Sequence, residues 1–169
     1  MKKRLLSLTL IAALCLSLFP VGTAPALAAD EDAPDTLLVS GTEVKGGGYW
    51  TTTNGTLSSG NESTWNVHYD ESSNTLTLND AKITGASSEN TNNNTVGIYA
   101  YSSSGVVSLN IELQGENTIT SGGYGIWVYS PDQGGAATLN ITGENGGSLN
   151  ASGSGSSGIQ VQSNNDGAI

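Results

Sequence analysis

Four aromatic residues form two matched pairs, Tyr99/Tyr101 and Trp127/Tyr129, each interleaved with aliphatic neighbours, Ile98/Ala100 and Ile126/Val128. In an extended strand alternate side chains point to opposite faces, so each segment turns its rings one way and its aliphatic groups the other. Two such strands side by side bring the four rings into a two-by-two patch. Aromatic faces pack against the C–H face of a pyranose, and the nearby Ser102, Ser130 and Gln160 carry groups that hydrogen-bond sugar hydroxyls. The same patch also reads as cross-strand pairing that stabilises an exposed sheet, worth roughly 0.2 to 1 kcal/mol per pair. A third segment, Gly158-Ile159-Gln160-Val161-Gln162, keeps the pattern but replaces the rings with glutamines.

Other chemistries have less to stand on. Glu89 with Asn90, Asn92, Asn93 and Asn94, and the run Asn164-Asn165-Asp166-Gly167, are oxygen-rich corners of the kind calcium accepts. Neither has the spacing of a dedicated calcium loop, and Asn and Asp are ordinary corner residues, so the turn reading stands beside the metal one. For catalysis, a polysaccharide lyase needs Arg or Lys near a uronate, and beyond Arg4 the chain has no Arg, with Lys45 and Lys82 standing alone. A hydrolase needs two carboxylates on one face, whereas the positions equivalent to Glu112 are Asn79 and Thr142. His68, the only histidine, reads as a packing or surface residue. The expectation is no enzyme, with catalytic groups in sequence beyond residue 169 as the way this would change.

The elements that position these residues come from a repeat. Leu76, Leu109 and Leu139 align in Thr-Leu-Thr-Leu-Asn, Ser-Leu-Asn-Ile and Thr-Leu-Asn-Ile, at spacings of 33 and 30 residues. Ile83, Ile119 and Leu149 form a second column at 36 and 30, and Ile98, Ile126 and Ile159 a third at 28 and 33. Within a unit the apolar period is two, as in Val107, Leu109, Ile111 and Leu113. Three short strands per unit, with Gly, Asn and Ser at the corners, predict stacked coils. The fold class expected is an all-β right-handed parallel β-helix, or β-solenoid, of about three coils, the hand following the general preference of parallel crossovers. Trp50, Trp65 and Tyr69 are large enough to cover its N-terminal end. Gly167-Ala168-Ile169 corresponds to Gly135-Ala136-Ala137, which precedes a new strand, so the sequence predicts a C-terminally truncated stack.

Met1-Lys2-Lys3-Arg4, the apolar run from Leu5 to Phe19 and Ala26-Leu27-Ala28 read as a secretory signal peptide over 1–29. An acidic leader and N-terminal cap follow over 30–74, and the coils over 75–169. Removal of the signal takes away the only cysteine and all cations except Lys45 and Lys82, in a chain whose formal net charge is already −10. Such a surface repels nucleic acid and anionic lipid, so neither is expected as a partner, and no membrane insertion is expected after cleavage.

The stretches Leu37-Leu38-Val39-Ser40-Gly41-Thr42-Glu43-Val44, Gly48-Tyr49-Trp50, Asn66-Val67-His68-Tyr69-Asp70 and Asn74-Thr75-Leu76-Thr77-Leu78-Asn79, with Ile111 to Ile119 and Gly125-Ile126, resemble a group of secreted Gram-positive bacterial carbohydrate-binding domain-containing proteins. The resemblance runs from about Leu37 to the end and implies a parallel β-helix. It also implies binding of plant cell-wall polysaccharide, of cellulose or pectin type, with calcium as a cofactor in some members. Residues and resemblance together predict a secreted, extracellular, non-catalytic carbohydrate-binding module, with surface attachment through sequence beyond residue 169 as an option. The alternatives are a structural stalk or adhesin repeat of a cell-surface protein, and a fragment of a polysaccharide lyase or glycoside hydrolase.

Overall fold

The computed structural model describes residues 32–103, 105–132 and 134–164. The signal peptide over 1–29, the corner Asn165-Asp166-Gly167 and the Gly167-Ala168-Ile169 match lie outside the described residues. In chain order the strands are β1 (Thr36–Val39), β2 (Thr42–Glu43), β3 (Gly48–Thr53), β4 (Thr56–Ser59) and β5 (Val67–Asp70). Next come β6 (Thr75–Asn79), β7 (Lys82–Thr84), β8 (Ala86–Ser87), β9 (Thr95–Tyr101) and β10 (Val106–Gln114). The last are β11 (Glu116–Ser121), β12 (Tyr124–Ser130), β13 (Ala136–Gly143), β14 (Ser148–Gly153) and β15 (Ile159–Ser163). The one helical element described is a 3-10 turn, Glu89–Thr91.

These strands form three sheets. The first has six strands in the order β15-β12-β9-β1-β2, with β8 also on β9; the second runs β13-β10-β6-β5-β3-β4; the third is β14-β11-β7. The expected right-handed parallel β-helix of about three coils behind a separate cap is therefore corrected. Both six-stranded sheets mix parallel and antiparallel neighbours and no sheet closes, which makes a sandwich-like all-β fold. The physical reason lies in the segment taken as a cap. Strand β1 bonds antiparallel along β9, pairing Leu38 with Tyr99, and β5 bonds antiparallel along β6, pairing Tyr69 with Leu76. The leading strands thus belong to the same sheets as the repeats. Trp50 packs on the main core, while Trp65 lies against Tyr49 and His68, whose ring stacks on Tyr49 at 4.3 Å.

Between the repeats themselves pairing is parallel. Ile98, Ile126 and Ile159 are successive partners, as are Leu109 and Leu139. Two columns shift. Leu76 pairs with Ile111 rather than Leu109, and Ile119 pairs with Ala151 rather than Leu149, which lies beside Asn117. Both slips are of two residues, which leaves every side chain on its original face.

The core lies among the three sheets, with Leu37, Leu76, Ile83, Ile98, Leu109, Ile119 and Ile126 all buried in one cluster. Ile159 departs from expectation: it is 44% exposed, on β15 at the edge of its sheet. Corners are held by buried asparagines. The amide oxygen of Asn117 accepts from the Ala81 N–H at 2.9 Å, and its NH2 donates to the carbonyls of Gln114 (3.0 Å) and Ser148 (3.2 Å), tying three successive turns together. Asn74, at φ 48°, donates to the Ser108 carbonyl at 2.7 Å and accepts from the Tyr69 hydroxyl at 3.0 Å. At Gly97, Gly125 and Gly158 a Cβ would collide with neighbouring backbone or side chain: Ile119 and the Gly125 carbonyl for the first, the Gly158 carbonyl for the second, the Ala151 carbonyl for the third.

Ile126 is fully buried in the central strand of this arrangement. Ile126→Asp places an unpaired charge there at a cost of several kcal/mol, against a total stability of about 5 to 15 kcal/mol. Circular dichroism should report loss of β signal at room temperature; a melting curve like that of the parent chain would show that the site tolerates a carboxylate.

Candidate functional site

The alternation of β9 and β12 places Ile98, Ala100, Ile126 and Val128 in the main core and puts the four expected rings on the opposite face, Tyr99 beside Trp127 and Tyr101 beside Tyr129. Across the strands the ring centroids are 5.1 and 6.0 Å apart. The structure therefore brings all four residues together. It also adds one that sequence reasoning missed: Tyr124, the first residue of β12, stacks on Trp127 at 4.8 Å. In the third segment Gln160 lies beside Trp127 and Gln162 beside Tyr129.

The rings of this patch do not lie flat on the sheet. Along each strand the rings stack face to face, Tyr99 on Tyr101 at 17° and Trp127 on Tyr129 at 23°, so they stand on edge. Trp127 has a stacked ring on each side, Tyr124 and Tyr129. Only 2% of Tyr99 and 6% of Trp127 is exposed, and with Leu38 and Val96 they form a second, smaller core. Tyr101 and Tyr129 are half-buried, and each has one face taken by its strand neighbour. The Tyr129 hydroxyl accepts from the Asn164 amide at 3.2 Å. Ser102 and Ser130 are not available to a ligand as expected: both are buried, the Ser102 hydroxyl donating to Asp35 at 3.4 Å and that of Ser130 to the Gly105 carbonyl at 2.7 Å.

Beside the half-buried rings is a cleft of about 380 Å³, lined by Tyr99, Tyr101, Tyr129, Thr36, Asn90, Asn92 and Pro131. Its amide wall is the loop Ser88–Asn94. Thr91, buried at the centre of that loop, accepts from the Ser88 N–H at 3.1 Å, while its hydroxyl lies 2.9 Å from the Ser88 carbonyl and 2.6 Å from that of Asn94. Asn92 and Asn93 follow at φ 50° and 60°, a left-handed conformation that asparagine tolerates better than most residues. The polar run Glu89 to Asn94 was legible as a corner; that the corner folds back beside the rings was not. Asn93 and Asn94 line a second cleft of about 320 Å³ together with Tyr124. A larger groove of about 440 Å³ lies on the third sheet among Thr52, Thr84, Thr118, Thr120 and Lys82, but it contains no ring.

The loop does not suit calcium. Glu89 is its sole carboxylate, and its amides divide between two clefts instead of converging on the six to eight oxygens the ion takes. Among the described residues no three His, Cys, Asp or Glu side chains gather, and Glu112 is flanked in register by Thr77 and Thr142. No helix of the described residues is long and apolar enough to cross a membrane. Two groups titrate abnormally on or near this face. Burial, followed by the charges of Tyr101 and Tyr129, pushes the Tyr99 hydroxyl well above the usual tyrosine range. Asp35 is held below the usual carboxylate range, first by the Ser103 N–H and then by the Ser103 hydroxyl. No protein-family model, no curated protein and no solved structure matches the chain.

Because Trp127 is packed rather than open to solvent, Trp127→Ala should lower stability by about 3 to 5 kcal/mol, measured by urea denaturation; a loss under 1 kcal/mol would contradict the packing described. The raised Tyr99 group also sets a pH dependence. The unfolded chain loses this proton near the ordinary value of about 10 while the folded chain keeps it. The folded state therefore binds more protons above that pH, and stability falls as pH rises beyond it. Denaturation midpoints between pH 9 and pH 12 should decline, and less so in Tyr99→Phe.

Proposed function

We propose that this protein is a secreted, non-catalytic carbohydrate-binding module that takes a polysaccharide of the plant cell-wall type, cellulose or pectin, at the cleft beside Tyr101 and Tyr129. The observation that carries this reading is the cleft's lining. Two half-buried rings and Asn90, Asn92 and Thr36 converge on one concavity, the combination of apolar faces and neutral donors and acceptors that sugars require. The strong excess of acidic residues favours cellulose, which is neutral, over pectin, whose uronate carboxylates are anionic. The basic, apolar and small-residue order at the N-terminus supports export. A second reading, a structural or adhesive repeat, draws on the burial of Tyr99 and Trp127, which gives the rings a packing role of their own.

Tyr129→Ala separates the two. On the binding reading it weakens retention on insoluble cellulose or on pectin by about 1 to 3 kcal/mol, by analogy with other aromatic platforms, which is roughly 5- to 150-fold. Tyr129→Phe, which keeps the ring, should retain most of the affinity. A folded Tyr129→Ala chain that binds as well as its parent would sink the cleft as the site; a lowered melting temperature with unchanged retention would favour the structural reading.

A further inference from the structure

The two amide-lined clefts are not independent features. Along β12 the stacked rings run Tyr129, Trp127, Tyr124, with Tyr129 lining one cleft and Tyr124 the other. The loop changes cleft at the same place: Asn90 and Asn92 line the first, Asn93 and Asn94 the second. The chain between Asn92 and Asn93 thus passes from the Tyr129 cleft to the Tyr124 cleft, at the two ends of a row in which Trp127 is the middle ring. Trp127 itself is buried in the cluster it forms with Leu38, Val96 and Tyr99.

Two observations say this arrangement is not a finished core contact. The indole Nε1 of Trp127 is buried and has no hydrogen-bond partner. A buried donor left unpaired is costly, and native structures seldom leave one without a reason. The hydrogen bonds described for Ser88–Asn94 also close within the loop: Asn92 to Glu89 at 3.1 Å, Asn93 to Ser88 at 2.9 Å and Asn94 to Thr91 at 2.9 Å, beside those of Thr91. A unit bonded to itself can shift without breaking its own turns.

We propose that Ser88–Asn94 is a strap over a covered subsite, and that a neutral oligosaccharide long enough to reach from the Tyr129 cleft to the Tyr124 cleft displaces it. The displaced strap joins the two clefts into one groove along the ring edges. Trp127 contributes an edge, since stacked rings occupy both its faces, and its Nε1–H donates to a hydroxyl or ring oxygen of the ligand. This rests on the glycan-binding reading and extends it from a pocket for a short ligand to a groove for a chain.

The test uses NMR of the full chain, with the Trp127 indole assigned through Trp127→Phe and cellobiose and cellohexaose as probes. The hexasaccharide should show intermolecular proton contacts to Tyr129, Tyr124 and the Trp127 indole N–H, and should bind up to about tenfold more tightly than the disaccharide, the worth of one added hydrogen bond. The disaccharide should contact Tyr129 alone. Hexasaccharide binding with contacts to Tyr129 but none to the Trp127 indole overturns the strap and leaves the cleft reading standing. Absence of binding by both sugars overturns the strap and removes cellulose as the ligand of the cleft.

Discussion

The close approach of backbones at Gly97, Gly125 and Gly158 is the constraint on which the candidate site depends. Each of these residues stands immediately before an isoleucine of the third column, in or just before a strand of the first sheet, with no room for a Cβ. The amide of Gly125 bonds to Ser157 at 3.0 Å and that of Ile126 to Gly158 at 2.9 Å, which locks the register of β12 against β15 at its first residues. Once that register is set, the pleat decides the rest: Ile98, Ile126 and Ile159 turn to one side and Tyr99, Trp127 and Gln160 to the other. A side chain at one of these glycines would displace the strand, and a displacement of one residue would exchange the two faces.

Crowding then shapes what the outer face can do. Ring neighbours two residues apart on one strand satisfy each other by stacking, so a row of aromatics is less available than its count suggests. Tyr101 and Tyr129 stay half-buried, and both line the cleft with asparagine amides. Recognition at such a site depends on hydroxyl and amide geometry as much as on aromatic area.

The sequence carried the alternation, the parallel partnership of the third column and the grouping of the four rings. It could not carry three other things. The two-residue slips of Leu76 onto Ile111 and of Ala151 onto Ile119 are invisible to a pattern of period two, because both registers bury the same face. The antiparallel union of β1 with β9 joins residues far apart in the chain, and nothing in Leu37-Leu38-Val39 names its partner; that union, with β5 on β6, is what turned an expected solenoid with a cap into mixed sheets. The exposure of each ring depended on where the asparagine run Asn90 to Asn94 came to rest, a matter of loop geometry rather than of hydrophobic pattern. The serines beside the rings looked free for a ligand, yet Ser102 and Ser130 hold corners.

The pairing of Thr36 with Tyr101 has a consequence in time as well as in space. Strand β1 leads the described chain but must wait for β9 before it has anything to bond along that edge beyond the short hairpin with β2. Closing so long a loop is an entropic cost met before any contact repays it, and parallel ladders between successive repeats impose the same delay. The chain should therefore be a slow folder. During that delay Leu37, Leu38 and Val39, buried in the finished protein, would be open to water and to other chains.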